Sequence, residues 1–166
     1  VYQNQIVNNA KELSNALNGN ICVSFNGISF DTRLLLGNER KWKLSGPMFQ
    51  IVSRETIWYE YDLFLVTLAS FHKIRIGAAT KRKSPGGLNL NDLCKLTLNK
   101  SKISINLKTA TLVETIEYNI NDVRITRLLF EYAITNGFVR SPKVGKVTIP
   151  IQFRNPLYEK FLSFRQ

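Results

Sequence analysis

Along the chain, apolar residues recur at two spacings, and the switches between them mark out the expected elements. Val7, Ala10, Leu13, Ala16 and Leu17 share one helical stripe. Asn9 is placed to cap it, Glu12 occupies the capping-box position and Gly19 can end it, which predicts a helix over Ala10 to Asn18. Ile21, Val23 and Phe25 then alternate, and the phase changes at Asn26-Gly27, as in a strand followed by a bulge or hairpin and a second strand. After the break at Ser45 to Pro47, a strand pair is expected between Met48 and Tyr61, and Asp62 opens a helix through His72 with Phe64, Leu65, Leu68 and Phe71 at helical spacing. Leu96 and Leu98, then Ile103, Ile105 and Leu107, then Ile116, Tyr118 and Ile120 each keep period two, which predicts a three-stranded meander.

From Asp122 the period returns to 3.6, with Ile125, Leu128, Leu129 and Tyr132 as the stripe and Gly137 as terminator; a strand over Val123 to Ile125 before a shorter helix is the rival. A last strand, KVTIPIQF, leads to a C-terminal helix capped by Asn155 with Pro156 in its first turn. Leu157, Phe161 and Leu162 or Phe164 would anchor that helix. There is no repeat and no linker-like composition. The pattern predicts an α+β fold, a single domain over residues 1–166 with about four helices covering an antiparallel sheet.

Composition supports a folded body. With 166 residues, 44% hydrophobic and 11% aromatic, the chain can bury a sizeable core. Its longest apolar tract, Leu63 to Phe71, is less than half of the roughly 20 residues that span a bilayer. The opening residues lack the apolar stretch of a secretory leader. Cys22 and Cys94 stand alone in apolar segments, as buried reduced thiols do in a protein of the cytoplasm or nucleus. The Asn99-Lys100-Ser101 sequon carries weight only in a secreted protein.

Charge changes the picture more. The net charge is +11, and residues 61–110 hold nine Lys/Arg against two Asp/Glu. Lys81, Arg82 and Lys83 are consecutive in AATKRKSPGGLN, residues 78–89, where Pro85, Gly86 and Gly87 favour an exposed loop. Lys73 and Arg75 precede it. Lys100, Lys102 and Lys108 would line one face of the meander, opposite Ile103, Ile105 and Leu107, a pattern that the solvated side of any strand also produces. Arg40, Lys41 and Lys43 surround Trp42, which can stack on a base, sit at a lipid interface or pack in a core. Each cation at an anionic surface contributes about 1 kcal/mol. The loop triplet thus gives roughly 3 kcal/mol, short of the ~4.1 of millimolar binding, and useful grip requires more cations or many copies.

Catalytic constellations are missing. His72 is the one histidine, set beside Lys73 and Arg75, with no nucleophile motif around it. Two cysteines and one histidine without paired spacing make no zinc cage, and the nearest acidic group, Glu55, Glu60 and Asp62, reads as a strand-to-helix boundary. In SPGG the glycines follow the cations, the reverse of a phosphate-binding P-loop. KRKSP also fits a nuclear-import signal or a phosphorylation site at Ser84. No enzyme activity, metal or cofactor is expected. RNA-recognition and helix-turn-helix signatures are absent, which argues against sequence-specific readout.

The segment VTIPIQFRNPLYEKF, with Pro150, Phe153, Arg154 and Pro156, is similar to a Pro/Phe-Arg-x-Pro stretch after a strand in the matrix proteins of negative-strand RNA viruses. With its size and basic balance, the chain resembles the compact rhabdovirus type, with a plant virus as the suggested source. The resemblance covers about a tenth of the chain. It departs from the family in lacking a long basic N-terminal tail among these residues and a P-P-x-Y motif, and in placing the segment near the C-terminus. The resemblance implies a virion protein that self-associates, condenses the viral nucleocapsid and touches an anionic membrane peripherally, in host cytoplasm or nucleus. A capsid or movement protein that binds RNA through phosphate contacts is the alternative, and an enzyme built on His72 the third.

Overall fold

A computed structural model describes residues 12–13, 15–36, 41–53, 56–106 and 108–154. The fold is α+β, and its contacts cluster into two compact units, Val1–Leu63 and Phe64–Gln166.

The first unit is built on a four-stranded sheet in the order β1-β4-β3-β2, with β1 at Ile21–Ser24, β2 at Lys41–Ser45, β3 at Met48–Ser53 and β4 at Thr56–Asp62. β2, β3 and β4 are antiparallel neighbours, as expected of the 48–61 region. β1 lies parallel to β4, pairing Ile21 with Tyr59 and Ser24 with Asp62, so the sheet is mixed rather than antiparallel. This pairing reaches across about 38 residues of chain, beyond what alternation in a single segment can register. β2 was not foreseen. The Ser45 to Pro47 break is a turn that folds it back onto β3, with Gly46 at φ 59°.

Residues 12–13 and 15–17 are helical, and Gly19 follows in the left-handed region that glycine tolerates. The expected cap at Asn9 lies outside the described residues. Beyond β1 the chain forms a turn and a short helix, α1 at Asp31–Leu36, instead of a second strand. Ile28, Met48, Phe49, Ile51, Trp58, Tyr61 and Leu63 are the buried apolar residues of this unit among those described.

The second unit begins within α2, Leu63–His72, where the sequence placed a helix. Leu65, Val66, Thr67, Leu68 and Ala69 are all buried, so the helix is enclosed on more than the one stripe its spacing suggested. α3 at Ile76–Ala79 follows, then α4 at Leu90–Leu98, the long α5 at Leu112–Asn136, and a hairpin of β5 at Phe138–Ser141 and β6 at Gly145–Thr148.

The expected meander is therefore replaced by two helices and an irregular segment. α4 starts where the Asn89 side chain accepts from Asp92 N, and it buries Leu90, Leu93 and Cys94 at helical spacing. α5 starts eleven residues before Asp122, at a capping box in which Thr111 and Glu114 bond each other's backbone. Ile116 and Ile120 are four apart, so they fit a helical face as readily as a strand, and the cap decides. Gly137 ends α5 at φ 77°, as expected. β6 stops at Thr148, and residues 151–154 are helical where a strand was expected. The helix expected from Asn155 lies outside the described residues.

Candidate anion-binding surface

The two units differ in charge before they differ in anything else. Residues 1–63 hold six Lys/Arg and six Asp/Glu; residues 64–166 hold seventeen and six, so the second carries the whole net +11.

In the first unit the carboxylates turn inward. Asp62 is fully buried and accepts from the backbone N–H of Asn26 (2.9 Å) and Ile28 (3.1 Å). Glu60 accepts from the Ser24 hydroxyl at 2.6 Å and from the Thr32 hydroxyl. These bonds hold the turn between β1 and α1, where Asn26 has a positive φ of 65° and a Cβ on Gly27 would overlap Glu60 and Ser24. Glu60 and Asp62 thus stand at a strand-to-helix boundary as expected and also brace a turn, while Glu55 of the expected grouping lies outside the described residues. Burial, then the Glu60 and Asp31 charges, push the Cys22 thiol up to about 11. Lys41, Trp42 and Lys43 are exposed on the edge strand β2, Trp42 edge-on to Phe49 at 5.1 Å, and lysines there also blunt the sheet edge. Arg40 lies outside the described residues.

In the second unit the cations turn outward. α3 ends at Ala79, and the turn continues through Lys81 N to Ala78 O and Arg82 N to Ala79 O, so that Lys81, Arg82 and Lys83 are all exposed. Further along, the segment is fastened. Gly87 and Leu88 are buried, the Ser141 hydroxyl donates to Gly87 O at 2.7 Å, and Lys143 lies over Gly86 and Gly87. Both glycines have positive φ, and a Cβ on Gly87 would press on Ser141 and Lys143 at 2.9 and 3.0 Å. The basic stretch is thereby set beside the β5–β6 turn, which adds Lys143 to it.

The hairpin supplies two more cations. Arg140 and Lys146 are cross-strand partners, and both lie over the Phe138 ring, at 5.5 and 4.3 Å from its centre. Like charges facing each other across two strands repel, and the ring face offsets only part of that. Arg140 N donates to Thr97 Oγ1 at 2.9 Å, which ties the hairpin to the end of α4. The Arg140, Lys143 and Lys146 set escaped the sequence reading, although PKVG at 142–145 is a hairpin-turn signal.

Lys73 and Arg75 are exposed between α2 and α3, and Lys73 holds a left-handed φ of 54° that closes α2. Lys100 and Lys108 are exposed in irregular backbone. Lys102 differs from its expected role. Among the described residues no strand aligns it with the others, and it is half-buried against α5, 2.6 Å from the Asp122 carboxylate and 2.9 Å from the Tyr118 hydroxyl. Burial alone would lower its pKa, but the hydrogen bonds to Asp122 and Tyr118 outweigh that and raise it. Lys102 is a structural cation, committed to an internal carboxylate. Among the described residues, Lys73, Arg75, Lys81, Arg82, Lys83, Lys100, Lys108, Lys143 and Lys146 have no carboxylate within ion-pair distance.

His72 Nε2 is buried with no hydrogen-bond partner, and its ring is edge-on to Phe71 at 4.9 Å. Burial pushes Cys94 up to about 12, and both cysteines are free thiols. Among the described residues no group of three or more His, Cys, Asp or Glu is placed to hold a metal, and no helix is long and apolar enough to cross a membrane. No protein-family model, curated protein or solved structure matches the chain.

Proposed function

We propose that this chain is a non-enzymatic binding protein whose second unit engages an extended anionic partner, acting as a viral matrix protein that joins nucleocapsid to an anionic membrane surface. The observation that carries the reading is the partition of charge. All of the net +11 belongs to residues 64–166, and apart from Arg127, which pairs with Glu131, its exposed cations are not answered by carboxylates among the described residues. Such a field concentrates polyanions and speeds their encounter. Lys81, Arg82, Lys83 and Lys143 form its nucleus, with Arg140 and Lys146 as a repelling pair that a bound phosphate would relieve.

The partner class is tested by pelleting the protein with vesicles of phosphatidylserine and phosphatidylcholine, and in parallel by gel shift with single-stranded RNA. Phosphatidylserine-dependent pelleting that falls steeply with salt is expected. Replacing Lys81, Arg82 and Lys83 together by Ala should weaken it up to about 100-fold, from roughly 1 kcal/mol per cation, with the melting temperature nearly unchanged. Tight RNA binding with no vesicle binding would replace the membrane reading by the capsid or movement-protein one. Binding to neither would overturn the proposal.

A further inference from the structure

The first half of α5 is apolar on the side away from Tyr118 and Asp122. Val113, Ile116, Ile120 and Val123 are 64%, 48%, 45% and 71% exposed. Their spacings are three, four and three residues, the seam of a two-helix coil. At about 100° per residue this seam lies across the helix from Tyr118 and Asp122, which hold Lys102, and from Ile125 and Leu129, two of the residues that α5 buries; the core comes round to the seam's side only beyond it, at Phe130 and Ile134. Isolated exposed apolar side chains are ordinary, but four aligned along three turns are not.

Two features name the occupant. The seam is a palindrome: Val, Ile, Ile, Val with spacing three, four, three reads the same from either end. A two-fold antiparallel pair sets Val113 against Val123 of a second copy and Ile116 against Ile120, so every layer of the seam is apolar and matched in size. The charges flanking the seam choose the same orientation. Glu117 lies beside its first half and Arg124 beside its second. In an antiparallel pair positions on the same flank meet, so Glu117 faces Arg124 of the second copy, and because helical side chains lean toward their own N-terminus the two lean together; a parallel pair sets Glu117 beside Leu112 and Arg124 beside Asn119, with no charge pair. Beyond Val123 the next seam position is Arg127, engaged with Glu131 at 2.9 Å, which ends the stripe.

We infer that this chain self-associates through residues 113–123 of α5, as an isologous antiparallel helix pair with a second copy of itself. The inference deepens the proposed function, which needs several copies to turn weak cationic contacts into a firm hold. A seam of this length buries on the order of 1,000 Å² in total, at the low end of specific interfaces, so the pair forms and parts with concentration.

Sedimentation velocity of the chain over a rising concentration series is the direct test. A monomer–dimer shift is expected, lost in Ile116→Glu and in Ile120→Glu at unchanged melting temperature. Glu117→Arg and Arg124→Glu should each weaken association about tenfold, and the two together should restore it. Orientation is read by oxidising a mixture of Val113→Cys and Val123→Cys proteins, which should cross-link to each other in preference to themselves. A wild type that stays monomeric to about 1 mM overturns the inference, as does a dimer that survives both Ile variants, or Val113→Cys cross-linking mainly to itself. Pelleting of the monomeric wild type with uncharged vesicles, lost in Ile116→Glu, would assign the seam to lipid and also overturn it. The two readings fail separately: a dimer that ignores phosphatidylserine and RNA sinks the proposed function alone, and a monomer that pellets with phosphatidylserine sinks the pairing alone.

Discussion

The two units of this chain spend their charges in opposite ways. In residues 1–63 the decisive ionisable groups are Glu60 and Asp62, both buried, each accepting hydrogen bonds that hold the turn around Gly27. In residues 64–166 the decisive groups are cations that stay in solvent, with Lys102 and Arg154 as the ones that bond inward. A buried carboxylate with backbone partners is a structural part whose loss strands donors in a dry place. An exposed lysine without a partner contributes little to stability, and its value lies in what it meets outside.

That contrast can be broken at the brace first. Asp62→Ala leaves the Asn26 and Ile28 N–H groups without their acceptor and should cost about 3 kcal/mol in urea unfolding, with binding of anionic vesicles by the remaining native protein unchanged. A loss of binding with stability intact would show that Asp62 belongs to the functional surface. Lys102→Met tests an inward cation. Removing the partner of a three-quarters-buried Asp122 should cost about 1–2 kcal/mol and leave anion binding as it was. If vesicle binding falls as far as in the Lys81, Arg82, Lys83 variant, Lys102 belongs with the outward cations.

The smallest expected effect is chemical. With Cys22 pushed up to about 11 and Cys94 to about 12, both stay protonated at pH 8, and iodoacetamide should label the native chain far more slowly than the unfolded one. Rapid native labelling of Cys22 would mean that the sheet edge at β1 opens readily.

Much of the first unit was readable because its signals are local. The alternation through β3 and β4 and the turn at Gly19 need no partner to be recognised. The parallel β1–β4 register was not, because it joins segments about 38 residues apart. In the second unit the misread helices carried their evidence at their ends. Thr111 with Glu114 and Asn89 with Asp92 are cap pairs, whereas Ile116, Tyr118 and Ile120 satisfy two periods at once. The exposed triplet Lys81–Lys83 was legible as a charge run; the fate of Lys102 was not, since Asp122 is twenty residues away and reaches it only when α5 is a helix. Lys143 joins the basic stretch through Ser141 and Gly87, a contact across 54 residues.

The length of α5 has a mechanical consequence. Twenty-five residues make a rod of about 37 Å, seated at its C-terminal half by Ile125, Leu129, Ala133 and Ile134 and carrying its palindrome at the other half. Whatever grips the outer half pulls on the same rod whose far end passes through Gly137 into the Arg140–Lys146 hairpin. Tension applied at one end is delivered to the other without a hinge between them.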